Sequence, residues 1–189
     1  MAKAKLFKIT SPLLALALVL SLMAVVAAPQ TVSAVTDTGT TNVTGNPTEA
    51  IDITIAGSIS SWAFTIGSNS NTTGIDLNVK SNCAWEVKVK DSDSINTSGK
   101  MAEYNTTNTT YEGGAKLQTA MSVNTTVGGT AVNLNTTDQK IVSGTTNTTD
   151  AGSDYDINIT QSISYGDKHL TTANHVYRIV ITFTGTCPV

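Results

Sequence analysis

Charge and aromatic rings are scarce in this sequence: 13% of its 189 residues are charged and 5% are aromatic. Its 11 Lys and Arg are scattered and form no basic stripe, which excludes a nucleic-acid surface built on phosphate contacts. Histidine occurs twice, at His169 and His175, flanking the turn-like segment 170–174 without metal-ligand spacing. These read as loop histidines, with metal ligation as the alternative. There is no G-x-S-x-G elbow, no Gly-rich phosphate loop and no H-E-x-x-H. No catalytic, cofactor-binding or metal residue is therefore assigned, and the chain reads as a non-enzyme that needs no cofactor. Glycosidase-like carboxylate pairs are left open, because their separation is set in space. The longest apolar run, Leu13 to Ala28, has 16 residues, fewer than the roughly 20 that span a bilayer.

That run fits an export signal better. Lys3, Lys5 and Lys8 precede it, and Val32-Ser33-Ala34 follows the small-x-small cleavage pattern. The reading is a signal peptide over 1–34, cleaved before Val35, with an uncleaved anchor as the alternative. The mature chain then has 155 residues, enough for one domain. Its 8 Lys and Arg against 14 Asp and Glu leave a charge of −6. An extracellular or cell-surface location follows, with no membrane contact by the mature form.

Only two cysteines occur, Cys83 and Cys187. In an exported chain an even pair predicts a disulfide, with two separate thiols as the alternative. Closing a loop of that length stabilises by at most about 4.7 kcal/mol on chain-entropy grounds.

What the chain has in quantity is threonine, about a fifth of the residues after position 34. Residues 35–50 are Thr- and Gly-rich and read as a polar extended arm or linker. From Ile51 the pattern alternates with period two. Ile51, Ile53 and Ile55 share a face, as do Trp62, Phe64 and Ile66, then Ile75, Leu77 and Val79, then Trp85, Val87 and Val89. Leu117, Met121 and Val123 keep strand parity, weak strands fall near 130–134 and 139–143, and alternation resumes at Tyr155–Ile159 and Tyr177–Phe183. Residues 91–114 are less patterned and predict long loops or a ragged hairpin. Such alternation predicts half-buried strands. No amphipathic helix is apparent after the signal. The fold class is all-β: a single antiparallel β-sandwich over 51–189, immunoglobulin-like or jelly-roll-like. By parity, Cys83 and Cys187 both point inward near strand ends.

The segment 105–114, NTTNTTYEGG, contains two consecutive N-x-[ST] acceptors for asparagine-linked glycan. Nine acceptors occur in all: Asn42, Asn71, Asn96, Asn105, Asn108, Asn124, Asn135, Asn147 and Asn158. Asn46 precedes Pro and is excluded. A Thr- and Asn-rich composition raises the chance rate, but most acceptors fall in predicted turns. Asn158 lies within a strand on the outward parity, beside the inward Ile157 and Ile159. The pattern predicts a sugar coat that leaves contact edges free.

Asp91-Ser-Asp93 resembles the start of a calcium loop but lacks Gly at its sixth position, where Asn96 stands. It reads as solvated turn acids, as does Asp154-Tyr-Asp156. Trp62 and Trp85 read as core residues, with sugar stacking as the alternative.

At SNCAWEVKVKD (81–91), GKMAEY (99–104) and HVYRIVITFT (175–184), the chain resembles secreted, Thr-rich, N-glycosylated β-sandwich surface proteins of methanogenic archaea, of sheath or extracellular-fibre type. The resemblance covers about residues 50–186 and rests on strand segments. It implies homopolymeric assembly and coating, and related fibres use strand donation. The arm 35–50 lacks apolar alternation, so Ile51, Ile53 and Ile55 form the better candidate donor strand; the alternative is an ordinary first strand.

The first functional expectation is thus a structural subunit of an archaeal surface assembly, whose partners are other copies of itself and its N-linked glycans. The second is an adhesin or carbohydrate-binding module using Tyr104, Tyr111 or Tyr165. The third is a secreted hydrolase.

Overall fold

The computed structural model describes residues 39–95 and 97–188. The predicted signal peptide and the acceptor Asn96 lie outside the described residues. The chain divides into two compact units, Met1–Gly45 and Asn46–Val189. In the first, residues 39–45 are exposed and form no strand.

The second unit is all-β and antiparallel. Among the described residues its strands are β1 (Ile51–Gly57), β2 (Gly67–Asn71), β3 (Ile75–Ser81), β4 (Trp85–Asp91), β5 (Ala102–Asn105), β6 (Thr110–Lys116), β7 (Ser122–Thr125), β8 (Val132–Asn133), β9 (Gln139–Gly144), β10 (Ser153–Ile163), β11 (His175–Arg178) and β12 (Ile181–Thr186). One sheet runs β1-β3-β10-β7-β8, with β2 pairing the second half of β10. Two three-stranded sheets run β11-β5-β6 and β12-β4-β9. Only residues 179 and 180 separate β11 from β12, so one stretch of chain passes from one small sheet into the other.

Period-two alternation decides which residues these sheets enclose. Leu77, Val79, Ile157, Ile159 and Val123 of the large sheet are buried together with Trp85, Val87, Val89, Ile141 and Val142 of the β12-β4-β9 sheet. Trp85 meets Tyr155 edge-on with centroids 6.0 Å apart, an interaction across the layers. Packing of this kind is that of a β-sandwich.

One expected strand does not form. Trp62, Phe64 and Ile66 alternate as a strand should, yet residues 58–66 belong to no strand. Gly57 leaves β1 with φ 85° and Ser61 has φ 53°, which turns the chain away from either sheet. Thr65 ties this segment to Asn69, its amide N–H donating to Asn69 Oδ1 at 2.9 Å. Pairing with β10 is taken up instead by the polar residues 67–71. Between Lys116 and Ser122 the chain likewise leaves the strand register, although Leu117 and Met121 are buried.

Candidate functional site: an open cleft and the acceptor asparagines

The sandwich is closed at one end and open at the other. At the closed end, Ile51 pairs with Ser81. The disulfide Cys83–Cys187 joins the chain just past β3 to the chain just past β12, with Cα atoms 6.1 Å apart and a sequence separation of 104. Ser81, 8% exposed, donates its hydroxyl to the Ala50 carbonyl at 3.2 Å. Asn82 adds a clamp: its Oδ1 accepts from Ala50 N at 2.7 Å and its Nδ2 donates to Thr48 O at 2.8 Å.

Away from this end the layers part. The resulting cleft has a volume of about 1230 Å³. One wall is Ile53 and Ile55 of β1 with Ile59, Trp62 and Phe64 of the unpaired segment. The other is Tyr177, Ile179, Ile181 and Phe183 of β11–β12, and the floor includes the buried Met101, Leu117, Met121 and Ile159. Trp62 and Phe64 stack tilted, 4.9 Å apart. Around the rim, Ile55, Ile66 and Val176 are exposed, Ile66 by 52%. The lining also takes in Thr106, Asp167, Lys168, His169, His175 and Arg178, but among the described residues no asparagine.

The candidate donor residues Ile51, Ile53 and Ile55 lie in β1, which pairs along its length with β3 of the same chain. The ordinary first-strand reading is the arrangement present. β1 is nonetheless an edge strand with one pairing side open.

The eight described acceptors divide by exposure. Asn42, Asn108 and Asn147 are exposed; Asn71, Asn105, Asn124, Asn135 and Asn158 are half-buried, and none is fully buried. Several of the second group serve the backbone. Asn71 Oδ1 accepts from Thr73 N and Gly74 N, and Asn135 Oδ1 from Thr137 N. Asn124 and Asn158 face each other directly across β7 and β10. Asn158 Oδ1 is enclosed without a partner, while Asn124 Nδ2 donates to Thr125 O at 3.1 Å.

Other candidate groups are consumed by the fold. Asp91, 5% exposed, accepts from Asp93 N, Gly99 N and the Thr97 hydroxyl. Asp93 accepts from the Tyr111 hydroxyl, while burial, followed by the nearby Asp91 charge, raises its pKa. Burial and the bond to Asp93 also push Tyr111 upward. Both carboxylates thus brace one loop. Among the described residues no cluster of metal-ligating side chains is present. Asp154 accepts from Asn78 Nδ2 at 2.6 Å on the sheet face. Trp85 is buried, and Trp62 is a half-buried cleft wall.

His175 and Glu103 form a His–carboxylate pair, Nδ1 to Oε1 at 2.7 Å. The Ala115 N–H, and then His175, hold the Glu103 carboxyl below its ordinary range. The other nitrogen of His175, Nε2, faces the amide of Asn105 at 3.3 Å. A general base for nucleophilic catalysis would need a hydroxyl or thiol there. His175 is thus not a loop residue, as its local sequence suggests, but opens β11, and the pairing leaves no local signal because Glu103 lies 72 positions away.

Tyr104 and Tyr111 are brought together edge-on at 5.1 Å, with the Arg178 guanidinium 4.4 Å above the Tyr104 ring. With Ser94, Ile95, Thr109 and Thr110 they line a niche of about 160 Å³. Tyr165 stands alone and 92% exposed. No protein-family model matches this chain, and no curated protein is similar enough to match it.

Proposed function

We propose that this chain is a non-enzymatic structural subunit of an extracellular surface assembly of the archaeal sheath or fibre type, polymerising with copies of itself and carrying N-linked glycans. The observation that carries the reading is the mainly apolar cleft, in whose lining none of the described acceptor asparagines stands. An open cleft whose floor belongs to the hydrophobic core leaves apolar surface exposed, and such a patch marks a contact site. Keeping sugars off it favours a polypeptide occupant. An extended segment from a second copy suits the site, because β1, an edge strand with one pairing side open, contributes Ile53 and Ile55 to the cleft wall. The arm 35–50 lacks the alternating apolar residues to fill the cleft of its own chain.

Electron microscopy of purified, unheated protein from its native surface tests this. Hoops, tubes or fibres are expected. Monomers that stay monodisperse at high concentration overturn it.

A second reading, an adhesin or carbohydrate-binding module, is favoured by the Tyr104–Tyr111–Arg178 niche, where aromatic edges meet hydroxyl groups and a guanidinium. Monomers that bind a glycan array through this niche, and lose binding on Tyr104→Ala, are its expected outcome.

A further inference from the structure

We propose that the adjacent acceptors Asn105 and Asn108 have different roles: Asn108 bears the glycan, and Asn105 is a structural residue that stays unmodified in the folded protein. This rests on the sugar coat proposed above and names the position that carries it at this hairpin.

Asn105 is the last residue of β5 and pairs with Thr110, the first of β6, so residues 106–109 close the hairpin. Its Oδ1 accepts from Thr107 N at 2.9 Å and Asn108 N at 3.1 Å. This is an Asx turn, in which the side chain substitutes for a backbone acceptor and starts the loop. Asn105 Nδ2 lies 3.3 Å from Nε2 of His175, its cross-strand partner. His175 Nδ1 is 2.7 Å from Glu103, an acceptor, which assigns the ring proton to Nδ1 and leaves Nε2 to accept from Asn105. The His175 side chain is 13% exposed, so the Asn105 nitrogen is directed at an enclosed ring. Thr106 adds two further ties, donating its N–H and its hydroxyl to Asn174 O at 2.8 and 2.9 Å.

Asn108 is at the tip. It is exposed, and its side chain makes no hydrogen bond among the described residues. Thr109, with φ 54°, bends the chain immediately after it.

Glycan transfer bonds Nδ2 to the anomeric carbon of a lipid-linked sugar phosphate donor. The anomeric C–O bond to phosphate breaks, the lipid phosphate leaves with its electron pair, and one amide proton passes to a base. The nitrogen must therefore meet the donor in solvent with room for a sugar ring. Asn108 offers this. Asn105 would first have to leave His175. The doublet is thus one turn-forming asparagine followed by one sugar-bearing asparagine.

Two measurements decide it. Site-resolved mass spectrometry of the native protein is expected to find the glycan of this peptide on Asn108. Glycan on Asn105 instead overturns the inference while leaving the coat intact; sugar at none of the nine acceptors overturns the coat and the Asn108 assignment together. In protein refolded without sugar, Asn105→Gln is expected to lower the thermal midpoint by roughly 2–4 °C, with Asn108→Gln leaving it unchanged. Equal midpoints for the two variants overturn the structural role of Asn105, whatever the sugar analysis finds.

Discussion

Gly185 of β12 packs directly beneath Ile53 of β1: a Cβ on the glycine would stand 2.7 Å from Ile53 Cγ2 and 3.0 Å from Ile51 Cδ1. The edge strand and the C-terminal strand, from different sheets, are in van der Waals contact only because residue 185 has no side chain. This contact, beside the disulfide, marks the closed end of the sandwich, and the cleft begins where it stops.

Gly185→Ala is therefore expected to push β1 outward and to destabilise the unit by about 1–3 kcal/mol, as overpacking does. Ile53 is stiff at its branched Cβ and cannot swing its methyl group away cheaply. A lower urea midpoint with an unchanged slope is the expected reading. Ile53→Ala in the same chain should recover part of the loss, a non-additive result that isolates the contact.

The disulfide gives a second outcome. Replacing Cys83 and Cys187 by serine removes a tie between positions 104 apart and is expected to lower stability by about 2–4 kcal/mol. Calorimetry of the double variant measures the loss. Mass spectrometry of the native chain should show a gain of two hydrogen atoms on reduction of the bond.

Acid should weaken the fold through Glu103. Its folded pKa lies below the ordinary 4.5 because the Ala115 N–H and His175 favour the carboxylate. Such a group contributes stability above its unfolded pKa, and that contribution is lost as pH falls through the folded value. Asp167 acts in the same sense: burial opposes its ionisation, but the Ser164 and Gln118 N–H groups outweigh it. Asp93 acts oppositely, because protonation relieves a buried charge whose pKa is raised. Glu103→Gln is thus expected to be less stable than the parent at pH 7 and to lose less on going to pH 3. Denaturant titrations at the two pH values measure this, and equal acid losses in both chains would sink it.

How far the fold was legible follows from these same residues. Period-two alternation places Leu77, Val79, Val87, Val89, Ile157 and Ile159 inside, because a strand's geometry repeats every two residues and each of these segments pairs regularly. Parity also directs Cys83 and Cys187 toward one another. Alternation fails at Trp62–Ile66, where Gly57 and Ser61 redirect the backbone and β10 pairs with the polar 67–71 instead. Apolar spacing reports which side chains seek the interior, but it carries no information about which backbone finds a partner. The cleft was illegible for that reason, since it exists only where two sheets diverge. The His175–Glu103–Asn105 chain was equally hidden, being made of cross-strand neighbours about 70 positions apart.

The rim of the cleft separates folding from assembly. Ile66 is 52% exposed and Val176 is 44% exposed, and neither belongs to the buried core. Replacing both by Lys removes little buried area, so the unfolding free energy should stay within roughly 0.5 kcal/mol of the parent for each site. Two cations added on the apolar rim of the cleft, beyond the Lys168 and Arg178 already in the lining, would have to be desolvated by any apolar segment that docks there, which costs more than the lost contacts. The double variant is expected to fold with the parent's urea midpoint and to remain monomeric under conditions where the parent forms filaments. Trp62→Ala, which trims the cleft wall, should weaken assembly with a larger effect on stability, because Trp62 stacks on Phe64 and packs against the core. Light scattering and electron microscopy on the three proteins at equal concentration separate the cases. Filaments of normal length from the Ile66→Lys, Val176→Lys chain would place the contact elsewhere, the free edge of β1 being the next surface to test.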